Sequence, residues 1–137
     1  MAHSSDSIGQ GQQLATRFVD SIKRADVALA GRGRWVHASC LLSFGDESVL
    51  LDVDAGRLTV TDPVPLMRIS DFSIQGTAAA WRALWKAMPP PGWHDLFALA
   101  KRGEIRIEGN LHPFLANLQY FKDVLTLPRM DAHDGSV

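Results

Sequence analysis

The residues able to do chemistry are few and far apart. The only cysteine is Cys40, and His37, His94 and His112 stand alone in the chain. Metal binding, nucleophilic attack or acid–base work needs such groups to converge, and their usual sequence signatures are HExxH, CxxC, GxSxG, a phosphate-cradling loop or a complete dinucleotide-binding glycine fingerprint. None of these is present. Asp52 and Asp54, two apart on one face of a strand near its end, are placed to face water, and Asp95 and Glu104 have no partner set by spacing. The three histidines read as surface or hydrogen-bonded polar positions, and Cys40 as a small buried hydrophobe in an alternating apolar segment. No catalytic set, metal site or cofactor is expected, and ester or thioester chemistry has no nucleophile and base to assign.

The large apolar residues offer a different chemistry, the binding of another apolar molecule. Phe18, Phe44, Phe72, Trp81, Trp85, Trp93, Phe97, Phe114 and Phe121, with Met88 and Leu118, fall on or beside faces that helices and sheet would turn toward each other. They either fill the core or form the wall and mouth of a cavity that a ligand completes. An acyl chain buried there gains about 0.8 kcal/mol per methylene, so ten methylenes supply roughly 8 kcal/mol before ordering costs. Arg32 and Arg34, and Lys101 and Arg102, are either solvated turn residues or an entrance that attracts a carboxylate, a phosphate or an anionic membrane surface.

These residues must be positioned by helices and strands that the hydrophobic periodicity outlines. Leu14, Phe18, Ile22, Ala25 and Leu29 recur every three or four positions and predict a helix from about Gln12 to Ala30, ended by Gly31 and Gly33. The period then changes to two. Val36, Ala38, Cys40, Leu42 and Phe44 share one strand face, Gly45-Asp46 turns the chain, Val49, Leu51 and Val53 share the next, and after Asp54-Ala55-Gly56 a third strand carries Leu58 and Val60. Residues 63–71 have no clear pattern, because two prolines interrupt any ladder. A short strand follows at 72–76, then a helix capped by Thr77 and running through Met88, then a proline-rich stop. A shorter helix over 93–102, an alternating strand at 104–108 and a long last helix capped by Asn110, with Phe114, Leu118, Phe121 and Leu125 as its buried stripe, complete the pattern. The expected class is α+β, a five-stranded, mainly antiparallel sheet covered by helices.

The run Gly103-Glu104-Ile105-Arg106-Ile107-Glu108-Gly109-Asn110 before a long apolar helix resembles the C-terminal signature of the sterol carrier protein 2 family. The preceding succession agrees: an opening helix, a three-strand meander with a turn glycine like Gly56, a strand with an aromatic like Phe72, and two short helices. The resemblance spans residues 11–127. It implies an apolar tunnel between sheet and helices that takes a fatty acyl chain, sterol or acyl-CoA without covalent chemistry. Asn110 stands where the family commonly has Asp, the 81–88 helix is more aromatic than usual, and the 89–93 link is enlarged.

Composition agrees with one self-supporting domain at 11–127 between flexible tails at 1–10 and 128–137. The 137 residues are 46% apolar and 21% charged, with 14 Lys and Arg against 15 Asp and Glu, a net charge of −1 that argues against nucleic acid as a partner. No basic leader or membrane-length apolar run is visible, so a cytoplasmic location with at most transient membrane contact is expected. The leading expectation is noncatalytic binding or intracellular transfer of a lipid or other apolar small molecule. The alternative is an interaction or accessory module that docks a protein partner, or a second copy as a homodimer, through its helical layer or a sheet edge.

Overall fold

The computed structural model describes residues 2–25, 27–86 and 96–129. Its elements run α1 (Ala2–Lys23), α2 (Val27–Arg32), β1 (His37–Phe44), β2 (Glu47–Asp54), β3 (Arg57–Thr61), β4 (Phe72–Gly76), α3 (Ala78–Leu84), α4 (Leu96–Lys101), β5 (Ile105–Gly109), α5 (His112–Ala116) and α6 (Leu118–Leu125). The five strands form one sheet in the order β3-β2-β1-β4-β5. All neighbours are antiparallel except β1 and β4, which run parallel. The α+β class and the mainly antiparallel five-stranded sheet are as the sequence predicts.

Register explains why one face is dry. Leu42 lies opposite Val49 on one side and Ile74 on the other, and Ile74 opposite Ile107. Cys40 similarly sits between Leu51 and Phe72. Because side chains alternate, these apolar rows share the face covered by the helices, and nearly all of them are buried. The other face carries Ser39, Ser43, Ser48, Asp52, Ser73, Arg106 and Glu108. Loop 62–71 crosses this polar face on its way from β3 to β4. Arg68 Nη2 donates to Asp52 Oδ1 at 2.9 Å, and the Ser39 N–H donates to the Asp71 carboxylate at 2.8 Å.

Helix boundaries differ from the sequence expectation in four places. The opening helix is two: α1 reaches back to Ala2 and ends in tight turns, with Ala25 N–H donating to Ile22 O and Arg24 N–H to Ser21 O, before α2 starts at Val27 and takes Gly31 inside it. α3 starts at the expected Thr77 cap, whose hydroxyl accepts from Ala80 N–H at 3.0 Å, but ends at Leu84. The Leu84 carbonyl, which a longer helix would use internally, accepts instead from Arg129 Nε and Nη2 at 3.0 and 2.6 Å. The long last helix is broken at Asn117, which leaves helical geometry (φ −128°, ψ 39°) while its side-chain amide donates to Pro113 O, so α5 and α6 are separate. Finally, the cap position of α5 is Leu111. Asn110 still contributes, accepting from His112 N–H through Oδ1 at 3.2 Å.

Candidate ligand-binding cleft

β5 is the last strand of the sheet, and the helices on either side of it in sequence stand apart over its inner face. Gly103, at φ +78°, turns the chain from α4 into β5, and Gly109, at φ +103°, turns it out toward α5. A side chain at Gly109 would also strike the Asp71 carbonyl and Phe72 Cα, 2.8 and 2.9 Å from its Cβ. The glycines of the 103–110 run therefore fix the spacing of α4, β5 and α5.

Between these elements lies a cleft of about 430 Å³. Phe97 and Ala100 of α4 form one wall, Leu111, Phe114 and Leu115 the other, and Ile105 and Ile107 the floor, with Gly103 and Arg106 at the margin. Phe97 meets Phe114 edge-on, with centroids 6.1 Å apart, and Lys122 Nζ lies 5.3 Å from the Phe97 centroid. Ile105 and Phe114 are buried, whereas Phe97 and Leu115 present apolar surface to the opening. Among the described residues no carboxylate lines the cleft; Arg106, whose side chain alternates to the opposite sheet face, borders it at the strand edge, and Lys101 and Arg102 lie between the lining residues Ala100 and Gly103. The volume is within the ~300–1,000 Å³ typical of small-molecule sites. Such a surface suits an apolar chain or ring system, with neutral or anionic polar groups left toward the rim. Larger hollows, about 520 Å³ along α1 and 540 Å³ on the polar sheet face, are lined mostly by amide, hydroxyl and charged side chains.

Of the residues singled out from sequence, Phe97 and Phe114 line the cleft. Phe18, Phe44, Trp81 and Trp85 pack on one another in the interior, with centroid separations from 4.8 to 6.3 Å. Phe72 and Phe121 form a second cluster that shares Phe114 with the cleft. Leu118 is half-buried beside the core. Met88 and Trp93, with His94 and Asp95, lie outside the described residues. Among the described residues, the spacing of large aromatics marks the interior and reaches the cleft at Phe97 and Phe114. Ile105 and Ile107 belong to the alternating strand predicted at 104–108, whereas Leu111 and Leu115 fall outside the predicted stripe of the last helix, and no sequence signal marks any of the four as adjoining space.

Each tryptophan in the interior has its indole N–H satisfied. Trp81 Nε1 donates to Ser43 O at 2.8 Å and Trp85 Nε1 to Leu125 O at 2.7 Å, and the Arg17 guanidinium lies 5.4 Å from the Trp85 ring. Gly76 makes the first bond feasible, since a Cβ there would lie 2.7 Å from Trp81 Nε1. The Tyr120 hydroxyl is buried without a hydrogen-bond partner among the described residues. Burial pushes its pKa up, an effect opposed in part by Arg32.

The polar candidates are engaged elsewhere. His37 Nδ1 and Asp54 Oδ1 are 2.9 Å apart at an exposed position, Asp52 takes Arg68, and Thr77 Oγ1 lies 3.5 Å from Glu104 Oε2. Arg32 pairs with Asp123 at 2.6 Å, and Arg34 lies 5.6 Å from the Trp35 ring. Cys40 is buried, and desolvation pushes its thiol pKa well up, with a smaller opposing hydrogen bond from the Ile74 backbone. Among the described residues, no three His, Cys, Asp or Glu side chains gather as a metal set, and no helix is long and apolar enough to cross a membrane.

No protein-family model and no curated protein matches the sequence. Solved structures do match the fold. A sterol carrier protein 2 structure superposes with a TM-score of 0.58 at 14% identity, covering 85% of this chain and 94% of its own. A ubiquinone synthesis protein, UbiJ-SCP2, gives 0.52 at 17% identity, covering 93% of this chain and 94% of its own. The sterol carrier protein domain 2 of Helicoverpa armigera gives 0.51 at 12% identity, covering 84% and 86%. The likeness is one of fold: a five-stranded sheet covered by helices in the manner of sterol carrier proteins.

Proposed function

We propose that this chain binds a lipid-like molecule, a fatty acyl chain, sterol or acyl-CoA, in the cleft between α4, β5 and α5, and carries it within the cytoplasm without covalent chemistry. The observation that supports this most is an apolar cleft on the helical side of a sterol-carrier-like sheet, with Phe97 and Leu115 open to solvent and no carboxylate among its described lining residues. The noncatalytic part of the reading is supported by His37, Asp52 and Asp54, whose polar contacts lie on the opposite sheet face.

The test is displacement of an environment-sensitive fluorescent fatty acid, paired with native mass spectrometry before and after delipidation. Leu115 is half-exposed, so Leu115→Arg should leave the melting temperature nearly unchanged while setting a guanidinium in the opening. Excluding two or three methylenes at about 0.8 kcal/mol each weakens binding by roughly tenfold or more. Failure to bind any of a panel of fatty acids, sterols and acyl-CoA, or equal affinity in Leu115→Arg, would overturn the assignment.

A further inference from the structure

The loop between β3 and β4 holds three of its apolar side chains away from the protein. Leu66, Met67 and Ile69 are 93%, 90% and 85% exposed. Isolated exposed hydrophobes are ordinary on a protein surface, but here three fall within four positions, Leu66 and Met67 inside one turn and Ile69 just after it.

The loop is built to hold them there. Arg68 N–H donates to Pro65 O at 3.3 Å and closes a turn in which Met67 adopts φ +67°. That third position of the turn suits glycine or asparagine, and a methionine there is strained backbone kept together with an outward apolar side chain. Pro63 and Pro65 stiffen the approach. The far end is anchored by the Arg68–Asp52 pair, by Asp71 N–H donating to Ser39 O at 3.0 Å, and by Asn110 N–H donating to Asp71 O at 2.8 Å.

We propose that residues 63–69 are a bilayer-docking loop, inserting Leu66, Met67 and Ile69 among the acyl chains of a zwitterionic lipid surface. The tip is convex. A fluid bilayer accommodates such a shape without a matching cavity, whereas a protein partner would have to supply one. Charge selects the kind of surface. Asp62 and Asp71 flank the tip, and Arg68, the one cation within residues 62–71, is already paired with Asp52, so the loop itself presents no unpaired cation to anionic headgroups. The inference does not rest on ligand binding in the cleft, because the loop crosses the polar sheet face and the cleft lies under the helices.

Flotation of the full chain with phosphatidylcholine vesicles at low and high salt tests the proposal. The wild-type chain should float with salt-insensitive partitioning, and the triple variant Leu66→Ser/Met67→Ser/Ile69→Ser should partition at least tenfold less. Its melting temperature and its affinity for a fluorescent fatty acid should stay unchanged. An environment-sensitive fluorophore on Leu66→Cys gives a second readout; Cys40 is 1% exposed and will not compete for the label. The fluorophore should shift to the blue on vesicles and be quenched from within the lipid. Four results would overturn the proposal: no flotation of the wild-type chain, flotation of the triple variant as of wild type, binding only to anionic vesicles and lost at high salt, or concentration-dependent self-association by light scattering that the triple variant abolishes in the absence of vesicle binding.

Discussion

Trp85→Phe separates two roles for the aromatic interior, packing and ligand contact. The Trp85 side chain is fully buried, its Nε1 donates to Leu125 O at 2.7 Å, and its ring stacks on Phe18 at 6.3 Å with an interplanar angle of 8°. Phenylalanine keeps most of the stacking and loses the donor. The Leu125 carbonyl is then left buried without its indole partner, at a cost of about 1–3 kcal/mol. A residual cavity of roughly a few tens of Å³, at about 24 cal/mol per Å³, adds about 1 kcal/mol. With an unfolding entropy near 2.1 cal/mol/K per residue, each kcal/mol moves the melting temperature of a chain this size by roughly 3–4 °C. A loss of about 2–4 kcal/mol therefore lowers it by roughly 7–15 °C, measured by circular dichroism and confirmed by urea denaturation. Affinity for a fluorescent fatty acid, measured well below the lowered melting temperature, should not change, because Trp85 does not line the cleft. A melting temperature within a degree or two of wild type would refute the hydrogen-bond account, and a large loss of affinity at unchanged stability would place the ligand among the interior aromatics instead.

Two further substitutions follow from single hydrogen-bonding groups. Tyr120→Phe removes a buried hydroxyl that has no partner among the described residues, so it should be neutral or stabilising by up to about 1 kcal/mol in urea denaturation, where most core truncations destabilise. Its pH dependence has a definite sign: the folded-state pKa is raised, so Tyr120 lowers stability as pH rises from about 10, the unfolded value, and the phenylalanine variant should lose that part of the alkaline slope. Thr77→Ala deletes the α3 cap and should cost about 1 kcal/mol, with Thr77→Ser recovering most of it.

The strands were legible because a half-buried strand has a period of two and turn glycines bound it. The apolar faces read from Val36 to Phe44 and from Val49 to Val53 are the buried ones. Helix ends were less legible because distant residues set them. Nothing within residues 78–88 says that Arg129, 45 positions away, takes the Leu84 carbonyl, and the break at Asn117 comes from an amide that helical periodicity does not register. The parallel β1–β4 pairing was equally hidden, since it depends on how loop 62–71 crosses the sheet. For the cleft, sequence marks which residues are apolar but not whether two neighbouring helices close over them.

That last distinction decides where the proposed ligand would fit in this fold. A sheet covered on one face can enclose a guest between sheet and helices or at an edge where the covering is incomplete. Over β1 and β4, the first option is taken by protein: Phe44 touches Phe18, Trp81 and Trp85, and Phe72 touches Phe114 and Phe121. Opening a tunnel there would require these rings to move together and would break the Trp81–Ser43 and Trp85–Leu125 hydrogen bonds, each worth about 1 kcal/mol net and more if a partner is left buried. Over β5 no such cost arises, because Ile105 and Ile107 already face a gap between α4 and α5. Affinity should therefore depend on residues from Phe97 to Leu115, and stability on residues from Phe18 to Trp85. Among the described residues, Phe114 both lines the cleft and touches Phe72 and Phe121 of the second aromatic cluster, so Phe114→Leu should lower the melting temperature and the ligand affinity together. If it lowered only the first, the cleft would end short of Phe114 and the ligand would be held by the exposed rim.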